Sequence, residues 1–225
     1  MRPNITLCLL YYDEPQPLSN HFEEMKLAIS EGFQYIIVDD GSSKHPIEKF
    51  LSLIPKEVSV YKINENYRWN IPGARNLAAL VSKTEWFVHL DCDLIFSKDA
   101  LTRLKKLQIN KKKFYSFGRN GLKANKPTAG TLLLNKSDFW ATGGYNELFR
   151  GSYGYNDPYL KYRLKKMNVS EVYLSEIILE DKSETASSQL KRNGIFKNKI
   201  KYYLLRNFYW KKLSFQFGFS WKKLR

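Results

Sequence analysis

One short stretch governs the architecture of this chain: Trp86-Phe87-Val88-His89-Leu90-Asp91-Cys92-Asp93. Its first five residues are apolar apart from His89 and predict a buried β-strand. Because aspartates are almost never buried inside a strand, Asp91 and Asp93 mark the strand's end. Two carboxylates this close repel each other unless a cation or hydrogen-bond donors accompany them. The spacing suits Mg²⁺ or Mn²⁺, although a polar strand-to-loop turn has the same pattern.

The composition is that of an ordinary globular domain with an uneven distribution of charge. The 225 residues are 43% apolar and 26% charged, which is enough for one large α/β domain with its own core. Of the net charge of +15, residues 190–225 supply eleven Lys and Arg and no Asp or Glu, which leaves +4 for residues 1–189. Contacts with anionic partners are therefore expected first from residues 190–225.

Neither a membrane span nor a disulfide framework is expected. No run approaches the roughly 18–20 consecutive apolar residues that cross a bilayer. The apolar residues 5–10 lack a signal-peptide cleavage site and are followed by Asp13-Glu14-Pro15, so they predict a buried strand. The two cysteines, Cys8 and Cys92, fit free thiols in a reducing compartment and predict a cytoplasmic location.

The first half of the chain alternates strands and helices. Strands are predicted at 5–11, 34–39 and 85–91, with a weaker one at 58–63, and helices at 18–30, 46–53 and 73–82. This alternation predicts a parallel sheet with helices on both faces. Right-handed crossovers then bring the carboxyl ends of the strands to one edge, where open α/β sheets bind their ligands.

Two acidic clusters and an arginine fall on that edge. Asp39-Asp40-Gly41-Ser42 ends the second strand, and Asp91-Cys92-Asp93 ends the strand at 85–91. Arg75 is expected in the first turn of a helix, where free backbone N–H groups favour phosphate. Together these residues indicate a pocket for a nucleotide diphosphate and a metal ion. Taken alone, Asp39-Asp40-Gly41 also fits a tight turn with a helix cap.

The second half of the chain predicts a mixed part of the sheet. Strands are expected at 114–117 and 130–134, and a helix at 159–167. Asp157 precedes Pro158 and would lie at the start of that helix, where an acidic residue often acts only as a cap.

Five motifs in a fixed order give the chain a family resemblance. They are Ile37-Val38-Asp39-Asp40-Gly41-Ser42, Pro72-Gly73-Ala74-Arg75-Asn76, Asp91-Cys92-Asp93, Gly143-Gly144-Tyr145-Asn146-Glu147, and Asn156-Asp157 followed by Arg163-Leu164. In this order, over roughly residues 4–170, the chain resembles the GT-A nucleotide-sugar glycosyltransferases, most of all the inverting family 2 group. The resemblance implies a Rossmann-like α/β fold with a mixed, mainly parallel sheet flanked by helices. The catalytic domain would cover 1–185, and a basic, aromatic helical extension 186–225.

The resemblance also implies which residues bind the donor. Asp39, and with it Asp40, would hydrogen-bond the nucleobase, and Arg75 would lie near the base and the diphosphate. The remaining donor-binding residues that it implies are Tyr11, Asp91, Cys92 and Gly144, with Gly144 allowing close approach near the sugar and the acceptor.

The metal and the base are implied in the same way. Asp93 would bind Mn²⁺ or Mg²⁺ at the diphosphate, while Asp91 would face either the ribose or the metal's water shell. Asp157 matches the catalytic base, which would take a proton from an acceptor hydroxyl opposite the departing diphosphate, so that one displacement inverts the anomeric centre. The chain departs from the family pattern at Asn156, where the family commonly has Glu.

Family members often supply a histidine after the base helix as a further metal ligand. The histidines of this chain, His21, His45 and His89, all come earlier. Either Glu180 or Asp181 would replace that ligand, or both are solvated loop carboxylates. The place of His89 within an apolar strand favours a core histidine over a ligand.

The implied reaction moves a sugar from a nucleotide-diphosphate donor, expected to be a UDP-sugar, to a hydroxyl of a glycan or lipid-linked acceptor in polysaccharide biosynthesis. A nucleotidyltransferase would share the pocket and the metal. It would need a basic, Gly-rich loop after the first strand, where this chain has Tyr11-Tyr12-Asp13-Glu14-Pro15.

Residues 190–225 contain ten aromatic residues and predict a basic amphipathic helix. Five apolar residues fall on one helical face: Phe196, Ile200, Tyr203, Leu204 and Phe208. Such a face suits an anionic membrane surface, which would hold the protein peripherally on the inner face of the membrane. Packing beneath the catalytic domain is the equal alternative. Nucleic-acid binding is disfavoured because no RNA- or DNA-binding motif accompanies the helix. A membrane- or nucleic-acid-binding module on a degenerate catalytic domain is the non-enzymatic alternative.

Overall fold

A single mixed sheet runs through the computed structural model, which describes residues 4–67, 69–121, 126–182, 194–208 and 217–225. The strands in these residues are β1 (Ile5–Tyr11), β2 (Gln34–Asp39), β3 (Ser59–Ile63), β4 (Trp86–Leu90), β5 (Leu94–Ile95), β6 (Lys113–Arg119), β7 (Leu132–Asn135), β8 (Ser170–Asp181) and β9 (Trp221–Lys223). The helices are α1 (Pro15–Asn20), α2 (Phe22–Ser30), α3 (Ile71–Val81), α4 (Lys98–Lys106), α5 (Lys136–Ala141), α6 (Asn156–Lys166) and α7 (Ile195–Phe208).

The sheet order is β5-β8-β6-β7-β4-β1-β2-β3-β9. Its centre, β4-β1-β2-β3, is parallel, as the alternation of strands and helices predicted. Strand β7 runs antiparallel to β4 and β6, whereas β8 is parallel to β6. The predicted mixed α/β fold is therefore confirmed, and the carboxyl ends of β1, β2 and β4 share one edge.

Strand β1 buries both of its faces, and successive side chains along it point to opposite sides of the sheet. In β1, Leu7 and Leu9 pack with the apolar residues of α2 and α4. Cys8 and Leu10 pack on the other side with those of α3, α5 and α6. This double burial fixes the register of β1 and so the position of the turn that follows it.

Two predicted helices differ in the structure. The helix predicted at 18–30 is divided by His21 into α1 and α2, because the chain turns there to bury the His21 ring beside Glu24. The helix predicted at 46–53 is only the 3₁₀ turn Ile47–Phe50, in which Ile47 is the one fully buried residue and Phe50 packs partly buried against the core. A turn with one buried residue gains too little packing to extend into an α-helix.

The C-terminal end of the chain returns to the sheet. Strand β9 pairs antiparallel with β3, and Trp221 packs edge-on against Tyr61 at 5.9 Å between ring centroids. The predicted extension therefore ends in a strand as well as containing α7. The predicted boundary between 185 and 186 lies outside the described residues, as do the aromatics Tyr209, Trp210 and Phe215 and the side chain of Phe208. Within the described ranges, no helix is long and apolar enough to cross a bilayer.

Candidate active site

A cavity of about 270 Å³ opens at the carboxyl edge of the parallel strands. Most of the predicted site residues line it: Tyr11, Asp40, Arg75, Asp91, Cys92, Asp93 and Asp157. Asp39 and Gly144 lie outside this lining. The topology thus brings together residues from four separate motifs, and we refer to this cavity as the crevice.

Arg75 lies at the centre of the crevice and is 2% exposed. Its Nη2 donates to Asp91 Oδ1 at 2.5 Å, and its Nη1 donates to Asp157 Oδ1. Burial disfavours the charged guanidinium, but the carboxylates of Asp157 and Asp91 outweigh that cost and raise the pKa of Arg75 well above its ordinary value. Arg75 is therefore a permanent cation that links the predicted metal-binding turn to the predicted base.

The position of Arg75 differs from the predicted one. Helix α3 begins at Ile71 rather than at residue 73, so Arg75 is not in the first turn and acts through its guanidinium. The close packing around Arg75 requires a glycine in the segment just before β7. A Cβ on Gly130 would lie 2.3 Å from Arg75 Nη2 and 3.0 Å from Asp91 Oδ2. Gly130 is thus a site-forming residue that the sequence did not reveal.

Asp157 is held by a second residue, Tyr145. The Tyr145 hydroxyl donates to Asp157 Oδ1 at 2.9 Å and accepts from Arg75 Nη1 at 3.0 Å. In the described part of the chain, both side-chain hydrogen-bond partners of Asp157 contact Oδ1, and the residue lines the crevice. Asp157 is at the start of α6, as predicted.

Tyr145 is fixed by its own backbone. Asn76 accepts from the Tyr145 N–H at 2.8 Å and donates to its carbonyl at 2.9 Å. Gly144, at φ +68°, makes room for this clamp, since a Cβ there would lie 2.7 Å from Asn76 Oδ1. The structure thus gives Gly144 a place in the support of Tyr145, and its predicted contact with the donor stays a prediction. The motif Gly143-Gly144-Tyr145 was the signal by which Tyr145 could have been found.

A buried ion pair supports the Asp91-Cys92-Asp93 turn from below. His21 Nε2 lies 3.0 Å from the Cys92 carbonyl, and its Nδ1 pairs with Glu24. Glu24 also accepts the Phe96 N–H at 2.9 Å, beyond the turn. Burial alone would lower the pKa of His21, but the Glu24 carboxylate and the hydrogen bond to Cys92 raise it to about 10. No pattern in the sequence indicated this pair, because it depends on the packing of α2 against the turn.

The residues at the turn fit a divalent cation that is shared with a ligand. Burial raises the pKa of Asp91, and the carboxylates of Asp93 and Asp157 raise it further against the opposing effect of Arg75. The carboxylates of Asp91, Asp93 and Asp157 repel one another here, and a cation would relieve that repulsion. Among the described residues, no three His, Cys, Asp or Glu side chains form a metal cluster. The two aspartates would thus supply part of a shell that phosphate oxygens and water complete.

The substitutes predicted for the missing histidine ligand lie outside the crevice lining. Glu180 forms an ion pair with Lys182 at 3.1 Å, and Asp181 Oδ2 is 3.9 Å from Arg119. Strand β8 does reach the turn, since the Lys182 N–H donates to the Asp93 carbonyl at 2.8 Å. The end of β8 therefore contacts the turn through the backbone rather than through the side chains of Glu180 or Asp181.

His89 is a core residue, as expected from its strand. It is fully buried, and its Nε2 donates to the Arg75 carbonyl at 3.0 Å. Burial and the nearby charge of Arg75 lower the pKa of His89 well below its ordinary value, so the ring is neutral. Its contact supports the backbone of α3 at the residue that carries the central guanidinium.

The two aspartates after β2 have different surroundings. Asp39 accepts the N–H groups of Ser42 and Ile47 at 2.7 and 3.0 Å, so both of its oxygens hold the loop. Asp40 accepts the Asn70 N–H at 3.0 Å, while its Oδ1 is buried without a hydrogen-bond partner in the described structure. Burial raises the pKa of Asp40 well above its ordinary value. Of the two, Asp40 is the one that lines the crevice.

The crevice lining also includes side chains that were not predicted, among them Trp69, Tyr153 and Arg119. Trp69 and Tyr153 form an edge-to-face pair with 5.2 Å between ring centroids, which gives the crevice an aromatic wall. Arg119, at the end of β6, adds a second cation to the lining. Nothing in the sequence analysis marked these three residues, because their approach depends on the sheet order.

Comparison with known proteins identifies related families and folds. The family profile described as Glycosyl transferase family 2 matches residues 6–154. At the level of sequence, no curated protein matches the chain. Residues 1–349 of S. aureus TarS superpose with a TM-score of 0.59 and 13% identity, over 80% of this chain and 60% of that one. The same TarS fragment in complex with UDP-GlcNAc gives 0.58 and 12%, over 79% and 58%.

The mannosyltransferase PcManGT from Pyrobaculum calidifontis, in complex with GDP-Man and Mn²⁺, is also similar. Its TM-score is 0.60 at 15% identity, over 83% of this chain and 59% of that one. The chain thus spans about three fifths of the length of these structures. At such identities the likeness establishes the shared GT-A fold.

Proposed function

The chain belongs to glycosyl transferase family 2, and we propose that it transfers a sugar from a nucleotide-diphosphate donor to an acceptor hydroxyl with inversion of the anomeric centre. The observation that carries the proposal is the convergence of Asp91, Arg75 and Asp157 in one partly buried hydrogen-bonded chain. Such an arrangement faces a leaving group with a cation and an attacking hydroxyl with a carboxylate.

The donor side of the proposal rests on the cations and aromatic residues of the crevice. Arg75 and Arg119 would stabilise negative charge on the departing diphosphate, because both line the same cavity. Asp40 would meet the nucleobase, and the pair of Trp69 and Tyr153 would flank the nucleotide or the sugar. We propose a UDP-sugar as donor, in line with the TarS fragment bound to UDP-GlcNAc, whereas PcManGT binds GDP-Man.

The metal in this proposal is Mn²⁺ or Mg²⁺ held by Asp93 and Asp91. Two neighbouring carboxylates that repel each other suit such hard cations, which complete their shells with phosphate oxygens and water. When bound, the ion would neutralise charge on the diphosphate. The support of the turn by His21 would keep both carboxylates directed into the crevice.

The acceptor side of the proposal rests on Asp157. Its Oδ1 is fixed by Arg75 and Tyr145, so Oδ2 is oriented to take the proton of a hydroxyl group. The acceptor would be a glycan or a lipid-linked saccharide at the cytoplasmic face of the membrane, in polysaccharide biosynthesis.

Nucleotidyl transfer fits this site less well. After β1, the Asp13 carboxylate accepts the N–H groups of Lys44 and His45 at 2.9 and 2.8 Å. An acidic side chain therefore occupies backbone donors of the kind that a nucleotidyltransferase loop offers to phosphates.

The proposal can be tested by donor binding followed by transfer. A panel of UDP- and GDP-sugars is screened for thermal stabilisation with and without Mn²⁺. A ligand at about 100 times its dissociation constant adds roughly 2.7 kcal/mol to the free energy of unfolding, which shifts the melting temperature clearly. Stabilisation by one nucleotide sugar, dependent on Mn²⁺ or Mg²⁺, followed by transfer to a saccharide hydroxyl is expected. Stabilisation by no nucleotide sugar would overturn the proposal.

A further inference from the structure

Within the described part of the chain, helix α7 leaves one apolar side exposed. Phe196, Ile200, Tyr203 and Leu204 are 69%, 47%, 48% and 50% exposed. Residues spaced by three, four, seven and eight positions lie on the same side of a helix, so these side chains form one continuous stripe. We call this stripe the outer face of α7.

The opposite side of α7 is already committed to the catalytic domain. Leu205 packs with Phe149 and Tyr159 in a small buried cluster. Asn198 is fully buried, and its Nδ2 donates to the carbonyls of Ser152 at 2.7 Å and Gly154 at 3.0 Å. Because these contacts fix the rotation of the helix, the outer face cannot turn inward without breaking them.

Cations border the outer face along both sides. At 100° per residue, Lys199 and Arg206 project on one side of the stripe, and Lys197 and Lys201 on the other. Helix α7 contains no acidic residue, and residues 190–225 carry eleven Lys and Arg. Lys201 also donates to the Leu148 carbonyl at 2.6 Å, which brings Leu148, 60% exposed, beside the helix.

We infer that the outer face of α7 docks on an anionic phospholipid surface. An exposed apolar stripe between two rows of cations matches the boundary between acyl chains and anionic headgroups. A second copy of the chain is a poorer occupant, because two such faces would bring like charges together. An uncharged apolar partner would leave the flanking lysines without complement.

Docking of the outer face on a membrane would favour a lipid-linked saccharide as the acceptor, and this step rests on the proposed function. Asn198 ties α7 to the segment that contains Tyr153 and Gly154, and both of these residues line the crevice. Docking would therefore hold the crevice beside the surface on which α7 lies. An acceptor saccharide carried on a lipid in that same surface would reach Asp157 without leaving the membrane.

The test measures sedimentation of the full chain with vesicles of phosphatidylcholine alone or with phosphatidylglycerol at a 7:3 ratio. The wild type is expected to bind the anionic vesicles at least about tenfold more tightly. Combining Phe196→Ser with Ile200→Ser should weaken that binding by roughly tenfold or more. Combining Lys197→Gln with Lys199→Gln should weaken it by roughly fivefold for each cation removed.

The matched control is Leu53→Ser, which removes an equally exposed apolar side chain, 58% exposed, far along the chain from α7. It should bind vesicles like the wild type, and all variants should keep the wild-type melting temperature. Equal binding to both vesicle types, or unchanged binding by both α7 variants, would overturn the inference. Sedimentation velocity would detect self-association of the chain. If the chain self-associates and Phe196→Ser with Ile200→Ser abolishes this, the outer face binds a second copy, which would also overturn the inference.

The two proposals fail separately. If no nucleotide sugar binds but the α7 variants still lose vesicle binding, the proposed function falls and the docking surface stands. If a donor is hydrolysed or transferred in solution but vesicle binding is absent, the proposed function stands and the lipid-linked acceptor loses its support.

Discussion

The crevice and the outer face of α7 differ in whether their cations are buried and paired. Arg75 is buried and pairs with two carboxylates, whereas Lys197 and Lys199 stand exposed on a helix without acidic residues. Removing an ion from water costs several kcal/mol unless it is paired, so a buried cation requires fixed partners. An exposed lysine keeps its hydration and needs no such geometry. The crevice is therefore suited to one ligand of defined shape, and the helix to a surface.

The largest expected effect concerns the base in the crevice. Asp157→Asn keeps an oxygen for Arg75 and Tyr145 but removes the proton acceptor, so kcat should fall roughly 10²- to 10⁴-fold. Donor affinity, measured by thermal stabilisation, should be retained. Equal loss of donor binding and transfer would show that Asp157 serves mainly to hold Arg75.

The buried ion pair below the turn should affect stability most. His21→Gln leaves Glu24 buried without its cation and should lower the free energy of unfolding by about 3–5 kcal/mol. The double variant with Glu24→Gln should lose less, because no uncompensated charge remains. A double variant less stable than His21→Gln would contradict this account.

The same pair gives a pH dependence of known sign. The pKa of His21 is about 10 in the folded chain and about 6.5 without the fold. Its contribution to stability is therefore complete below about pH 6.5 and is lost as the pH rises through about 10. Urea unfolding between pH 6 and 10 should show this decline in the wild type, and a shallower one in the double variant.

The metal-binding turn should depend on Asp93. Asp93→Ala should lower kcat/KM roughly 100-fold, because a divalent ion supplies several kcal/mol of charge stabilisation at a phosphate. Asp99→Ala is the matched control, since Asp99 is exposed and forms an ion pair with Arg103 on α4. Undiminished turnover by Asp93→Ala, or in the presence of a chelator, would remove the metal from the proposal.

Tyr145 should affect the reaction through the position of Asp157. Tyr145→Phe removes one hydrogen bond to the carboxylate and should lower kcat roughly tenfold with little change in KM. The pH profile of kcat should also shift, which a purely structural residue would not cause. Tyr115→Phe, which removes a hydroxyl contact to the Asn110 backbone, should leave both unchanged.

The smallest expected effect is the influence of salt concentration on binding, which should differ between the crevice and the outer face of α7. The Debye length falls from roughly 10 Å at 0.1 M salt to roughly 3 Å at 1 M. Vesicle binding by α7 should weaken several-fold over this range, because its lysines are exposed. Donor binding in the crevice should change less, since Arg75 is shielded from solvent. Similar salt dependence of both would contradict the comparison.

The parallel half of the sheet was predictable almost to the residue. The predicted bounds of β1 and β2, 5–11 and 34–39, are those of the structure, because continuous apolar runs end there at polar turns. The break at His21 was not predicted. In sequence, His21 fits a continuous helix. Only the buried pair that it forms with Glu24 explains why the chain turns there.

The site was predictable as a set of residues but not as a set of contacts. Asp91 and Asp157 were recognised from their motifs, yet nothing in the sequence indicated that Arg75 bridges them. The bridge depends on how α3 and α6 approach the same edge. Arg119 and Trp69 carry no motif at all, and they join the crevice only because β6 and the segment before α3 meet there.

By itself, the sequence determined the class of fold, the edge that carries the acidic residues and the amphipathic character of residues 195–208. Hydrophobic periodicity and strand-ending aspartates are local properties, and they survive without any knowledge of the partner strands. The tertiary structure alone decided that Arg75 is shared, that Tyr145 fixes Asp157 and that α7 turns its apolar side outward. These outcomes depend on side chains distant in sequence competing for the same buried space, which no local pattern encodes.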